Sequence, residues 1–434
     1  MLELLLKTLK TFDNVEYLIQ ETKTHKVEGY NIKKQSEMSR EVASTLISLT
    51  LYVTFAEEKK KYRGSYNVNI HPGTSQEELK EIISQGIYAA GFVKNAYYPL
   101  VSPTPSKPVS TKTIDTTKAL ADLQAVFHAC DTNPVGHLSF SEFFITRSDI
   151  RRINSNGVDV TYTTYQVFVE TAVHWPSPSG KEIEIYEAYR FSLDNVDTAS
   201  DYLQNRIQEL FTVAEKKAIA KPTPSVEDIN ILLSGECLST FFSYYKDCAN
   251  ARMIYQELST FKEGTRVQGA DNSDLLTLTL EPLMEGSAYS RPYDEHGQPL
   301  EDHIVIKDGK LLKYWGDTRF SSYLDITPTG NIHNIHITGG TATDADLRKG
   351  PYLELVSFSD FQANAITGDF GSEIRLGFYF DGNNITPVTG GSISGNMNKI
   401  QDGLKMSAQT RQYNSYLGPA TVCIKGASIS GVEN

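Results

Sequence analysis

The sequence predicts an α+β fold: an N-terminal α/β region of antiparallel strands with covering helices, and a C-terminal domain built on a large, curved, barrel-like antiparallel β-sheet. Three features carry that reading. Stretches alternating apolar and polar residues sit beside helices of 3.6-residue period in the first half. Asp-Gly turns flanked by strand-like runs recur in the second half. The 24 tyrosines and 19 phenylalanines favour strands. At 434 residues the chain exceeds what one hydrophobic core usually supports. Composition divides it into an N-terminal α+β domain (1–112), a middle strand-and-helix region (113–222) and a C-terminal mostly-β domain (223–434).

Leu2 to Leu9 reads as a short amphipathic helix, followed by strands over Glu16 to Thr24, Thr45 to Phe55 and Lys61 to Ile70. In the second of these, Ile47, Leu49, Leu51, Val53 and Phe55 form a face far more apolar than its alternate, so that face should lie under a helix. The covering helix follows: Thr74-Ser75-Gln76-Glu77 has capping-box spacing, and Leu79, Ile82, Ile83, Ile87 and Ala90 supply the stripe. Prolines at 99, 103, 105 and 108 then mark Tyr98 to Thr113 as an extended connector between two units. Asp115 to Cys130 is a helix. Ser139 to Ser192 is a run of strands broken by turn chemistry at 154–157 and 176–180. Asp201 to Ala220 is a long helix stopped by Pro222 and Pro224.

The C-terminal half changes to short strands. Asp308-Gly309 and Asp381-Gly382 mark hairpins, Leu353 to Val356, Ala365 to Asp369 and Ser372 to Phe380 add strands, and Thr343 to Lys349 and Asn398 to Leu404 are short helices.

With 41 basic against 53 acidic residues the net charge is −12, and no basic cluster exceeds Lys59-Lys60-Lys61. Direct contact with nucleic acid is disfavoured, because phosphate neutralisation needs a basic face. No stretch reaches membrane-spanning length, and the start lacks a signal-peptide pattern. Cys130, Cys237, Cys248 and Cys423 show no Cys-x-x-Cys spacing, which fits reduced thiols and a cytoplasmic location.

The segment around which the C-terminal half is organised is Ile231 to Lys246, a buried strand leading into an amphipathic helix. Ser234 is placed to be its N-cap, and Glu236 lies where the positive end of the helix dipole favours a carboxylate. Leu238, Phe241, Phe242 and Tyr245 recur at i, i+3, i+4 and i+7 and should be buried. Gly235, Glu236, Ser239, Thr240 and Ser243 point elsewhere and, the glutamate apart, are small, so the helix should form the floor of a groove.

These residues resemble the zinc helix of the TldD/PmbA metallopeptidase family, whose active members carry His-Glu-x-x-x-His there. This chain instead has Gly235, Glu236 and Thr240 at the three motif positions, so neither zinc-binding imidazole is present. The most specific likeness is Thr367 to Asn396, similar to the family's Thr-Gly-Asp-Phe strand, hairpin and closing Ser-Gly-Asn turn. Gly286 to Pro299 resembles another family segment, with His296 where glutamate is common, and Arg152-Ile-Asn-Ser-Asn-Gly-Val resembles its Asn-Ser-x-Gly hairpin. Where active members place a cysteine ligand, Cys423 lies in a strand and is given no ligand role.

Each chemical candidate has a structural alternative. Glu236 is explained as a helix-dipole partner, with a relic general base as the sharper reading. Cys237, at a helix start, is either an activated thiolate or a buried thiol, and its place beside the Leu238 stripe favours the buried thiol. His333 and His336 lack a third ligand at any recognisable spacing and read as structural.

The resemblance implies a noncatalytic subunit of a cytoplasmic zinc peptidase that degrades or matures unfolded peptides. It implies no catalytic residue and no metal in this chain, with zinc expected in a partner. The substrate groove would be lined by Glu236, Ser239, Thr240 and Ser243. The implied partners are a zinc-bearing TldD-like homologue, a second copy of this chain as a dimer, and an unfolded peptide, with no direct nucleic acid and no membrane. A self-sufficient homo-oligomeric peptidase is one alternative; a protein-binding regulator of the gyrase-modulator kind is another.

Overall fold

The computed structural model describes residues 1–13, 15–104, 113–270 and 273–432. The first half is dominated by one antiparallel seven-stranded sheet. In chain order its strands are β1 (Val15–Ile32), β2 (Gln35–Glu57), β3 (Lys60–Ile70), β4 (Asn95–Ala96), β5 (His137–Asn154), β6 (Asp159–Pro176) and β7 (Glu182–Ser192). Their spatial order is β4-β3-β2-β1-β5-β6-β7. Because β1 pairs with β5 from Leu18↔Asn154 to Ile32↔Phe140, the stretches before and after the proline-rich connector share one sheet. The boundary expected at 112 therefore divides the sequence without dividing the sheet. Residues 105–112 of the expected connector lie outside the described residues.

All four N-terminal helices cover the same face of this sheet. Helices α1 (Leu2–Leu9) and α2 (Gln76–Ala90) bury Leu5, Leu9, Leu79 and Ile83 against Ile19, Ile47, Leu49 and Leu51. That is the face the alternation in β2 predicts. Helices α3 (Thr116–Ala129) and α4 (Val196–Ala218) bury Leu123, Phe127, Leu203 and Ile207 against Phe143, Val167, Val169 and Phe191. The capping box of α2 is one residue later than expected, formed by Ser75 and Glu78. The Thr74 hydroxyl is engaged by the carbonyl of His71 at 2.8 Å, which leaves the cap to its neighbour.

The C-terminal half is β-rich as expected, but it holds two sheets, of six and ten strands. Among the described residues three pairings of named strands are parallel, so the sheets are not purely antiparallel: Ile335–Thr338 with Tyr416–Pro419, Tyr352–Phe358 with β9 (Asn230–Ser234), and Ile385–Thr389 with β8 (Lys221–Pro222). Helix α5 (Cys237–Cys248) packs between the sheets. Phe242 stacks on Tyr416 of the six-stranded sheet with centroids 5.8 Å apart, and Phe241 meets Phe370 of the ten-stranded sheet at 6.1 Å. Leu238, Phe241, Phe242 and Tyr245 are all fully buried in this core.

The Asp308-Gly309 hairpin forms with both residues at positive φ, as an Asp-Gly pair in a two-residue turn requires. The two halves are tied by Gln166 Nε2 donating to the Ala288 carbonyl at 2.6 Å and by Ser192 N donating to that of Gly286 at 3.0 Å.

Candidate functional site

Strand β9 is held on both sides, in parallel by 352–355 and antiparallel by 421–424, which explains its apolar sequence. The chain leaves the sheet at Gly235, whose φ of +90° is left-handed and whose α-hydrogen faces the Val356 carbonyl. A Cβ at this position would lie 2.7 Å from that oxygen, so only glycine fits. Helix α5 then begins at Cys237, two residues later than the groove pattern suggests. Ser234 is not its N-cap, because its hydroxyl is committed to Glu354 Oε1 at 3.1 Å. Glu236 takes the capping position without a side-chain cap bond.

Above the first turn of α5 lies a cavity of about 970 Å³ between the two halves of the molecule. Glu236, Ser239 and Thr240 line it, along with Gly235. Ser243 does not, and its hydroxyl instead donates to the Thr240 carbonyl at 2.9 Å.

Three strand edges open onto this space. β7 is the last strand of the seven-stranded sheet and lines the cavity from Glu187 to Arg190. Thr410–Tyr413 is the last strand of the six-stranded sheet and also lines it. Val356 to Phe358 continue past the point where β9 turns into α5, so this end of their strand has lost its parallel partner.

Charged side chains join the three walls. Arg206 of α4 donates to Glu209 at 2.8 Å and to Glu236 at 2.5 Å, while its guanidinium lies over Tyr189 at 5.1 Å and Tyr413 at 5.6 Å. Arg411 pairs with the same Glu209. Glu187, half-buried beside them, has its carboxyl pushed up to about 7, first by burial and then by the charge of Glu236, with Arg206 opposing. On the opposite rim Arg348 makes a bidentate pair with Glu354 at 3.0 and 2.7 Å.

The donor set does not fit zinc. Gly235 and Thr240 offer no imidazole, thiolate or carboxylate. Burial pushes the Cys237 thiol far above its usual range, and its sulfur contacts the Ser234 carbonyl at 3.4 Å, as suits a buried thiol. Cys423 is buried in the strand Thr421–Ile424. Among the described residues no group of three or more His, Cys, Asp or Glu side chains is arranged to hold a metal ion. His336 pairs with Glu281 at 2.6 Å, and His333 stacks on Tyr289, so the two are separately engaged. His296 lies in the turn organised by Asp294, whose Oδ1 accepts its backbone N–H at 2.9 Å. Among the described residues no helix is long and apolar enough to cross a membrane.

Arg206, Glu187, Glu209 and Arg411 have no sequence signature. They come from three separate elements, and only the helical period of α4, with Leu203, Ile207 and Leu210 buried, places Arg206 at the margin of a packed face.

Residues 226–431 match the family model described as PmbA/TldA metallopeptidase C-terminal domain. A relative in Haemophilus influenzae, called a metalloprotease PmbA homologue, is 21% identical over 66% of this chain and 67% of its own length. The metalloprotease PmbA of Escherichia coli is 35% identical over 29% of each chain. The crystal structure of TldE from Thermococcus kodakarensis superposes with a TM-score of 0.76 at 14% identity, covering 99% of this chain and 100% of that one, a likeness of fold.

Proposed function

We propose that the chain, whose residues 226–431 match the PmbA/TldA metallopeptidase C-terminal domain, is a metal-free member of that family that encloses peptide for a zinc-bearing homologue. The observation that carries the proposal is the cavity itself, with three open strand edges around a helix start that has Gly235 and Thr240 in place of the two imidazole ligands. An extended peptide completes such edges through main-chain hydrogen bonds, which are blind to side-chain identity. Unfolded peptides of many sequences therefore fit the same space.

Zinc in this family would supply a polarised water for hydrolysis. This chain's contribution is to hold the peptide backbone and bound the space. The role of Gly235 follows from the same geometry. The backbone excludes any side chain at the position of the family's first histidine, so a histidine restored there would not sit in a ligand-ready helix turn. A cytoplasmic setting suits the four free thiols, three of which are buried.

The test is to mix the purified chain with a homologue that carries an intact His-Glu-x-x-x-His and follow both size-exclusion elution and cleavage of an unfolded peptide. The expected result is a larger species with chelator-sensitive cleavage, and no cleavage by this chain alone. Chelator-sensitive cleavage by this chain alone would overturn the proposal in favour of a self-sufficient peptidase.

A further inference from the structure

Resting on the peptide-holding reading, we infer that the cavity selects peptides carrying a positive charge, and that Glu187 is the carboxylate that receives it. The argument begins with charge. The cavity is lined by six acidic side chains, Glu187, Glu209, Glu236, Asp344, Glu354 and Asp360, against four arginines, Arg190, Arg206, Arg348 and Arg411. No lysine or histidine lines it.

Most of these charges are already spent on one another. Arg348 is engaged by Glu354 and Asp344 on the far rim. Near α5, Arg206 bridges Glu209 and Glu236, and Arg411 takes the other oxygen of Glu209. Two arginines thus satisfy two glutamates, and Glu187 is the third carboxyl in the cluster. The charged and titratable groups that face it are Arg206 and Tyr202 of α4, Glu236 at the start of α5, and Tyr186 and Tyr189 of its own strand.

Burial and the charge of Glu236 together raise the Glu187 carboxyl to about 7, so near neutral pH a proton there offsets part of the excess negative charge. A peptide ammonium group reaching this place does the same work as the proton. Glu187 then ionises, releases its proton to solvent and forms an ion pair in a partly desolvated setting, so binding and proton release are linked. The position also suits a strand-bound ligand. Glu187 lies on the open edge of β7, so a peptide paired to that edge carries its side chains past it.

The experiment uses the full chain and short N-acetylated, C-amidated Ala/Ser peptides that differ only at one central residue: lysine, Nε-acetyl-lysine or glutamate. Binding is measured by calorimetry at pH 6 and pH 8, each in two buffers of different ionisation enthalpy. Lysine stays charged across this range, so any pH effect belongs to the protein. The expected result is that the lysine peptide binds about tenfold more tightly than the acetyl-lysine peptide at pH 8, the equivalent of roughly one pKa unit of interaction. That preference shrinks at pH 6, where Glu187 holds its proton, and fractional proton release accompanies lysine binding near pH 7. In Glu187→Gln the preference and the proton release both vanish, while the acetyl-lysine peptide still binds. Equal binding of all three peptides at both pH values would overturn this inference and leave the peptide-holding reading standing. If no peptide binds at any pH, both fall.

Discussion

The two sides of helix α5 differ in what they ask of the sequence. On one side Leu238, Phe241, Phe242 and Tyr245 are fully buried, locked between two sheets by aromatic contacts from each. On the other, Ser239 and Thr240 face a cavity, with Glu236 beside them held by Arg206. The packed side carries the stability of the C-terminal half, because large apolar side chains there exclude water at interior density. The open side contributes shape and charge. Its residues can change without disturbing the packed core, so the chemistry of that side can vary on one scaffold.

The sharpest way to break this contrast is to cut the packed side. Phe241→Ala or Phe242→Ala should cost roughly 3 to 5 kcal/mol by leaving a cavity between the two sheets. Denaturant midpoints at constant slope give the value, and a cost below that of any open-side substitution would reverse the assignment of faces. Next in size is Gly235→His, which combines a left-handed backbone with a Cβ directed at the Val356 carbonyl. It should cost roughly 1 to 3 kcal/mol. It should also fail to create zinc affinity even when combined with Thr240→His, as zinc titration followed by calorimetry would reveal.

Glu187 sharpens the comparison through pH. Its folded-state carboxyl lies at about 7, above the unfolded value of roughly 4.3. The folded state therefore holds a proton that the unfolded state releases, and the contribution of this group to stability falls as pH rises through that window. Glu187→Gln should flatten the pH dependence of the melting temperature between about pH 4.3 and 7 and raise stability at pH 8; an unchanged profile would place this carboxyl in ordinary solvent. The smallest effect belongs to Glu236→Ala. Its side chain is half exposed, and an exposed ion pair to Arg206 is worth less than about 1 kcal/mol. A chemical melt showing a loss of several kcal/mol would mean that the open side also carries the fold.

The packed side of α5 was legible in the sequence, and so was the face of β2 that α2 covers, because burial imprints a period on neighbouring residues. The α+β class followed from the same periods together with turn chemistry. What the sequence hid was long-range. The pairing of β1 with β5 joins residues more than a hundred positions apart and leaves no local mark, so a proline-rich connector read as a domain boundary. Ser234 looked like a cap because nothing nearby announced Glu354 as its partner. The small residues Ser239 and Thr240 point in the sequence to an open space, and they line the cavity beside Glu236; Ser243, carried along by the same rule, is not among its lining residues. The Arg206, Glu209, Arg411 and Glu187 cluster was beyond reach, since each residue is unremarkable within its own element.

The central claim is that this chain walls a peptide space without supplying the metal. Elemental analysis of the purified full chain, after mild chelation and against a homologue with an intact His-Glu-x-x-x-His, tests it most directly. The account predicts zinc well below one equivalent in this chain and about one in the homologue. One chelation-resistant zinc per molecule of this chain would contradict it.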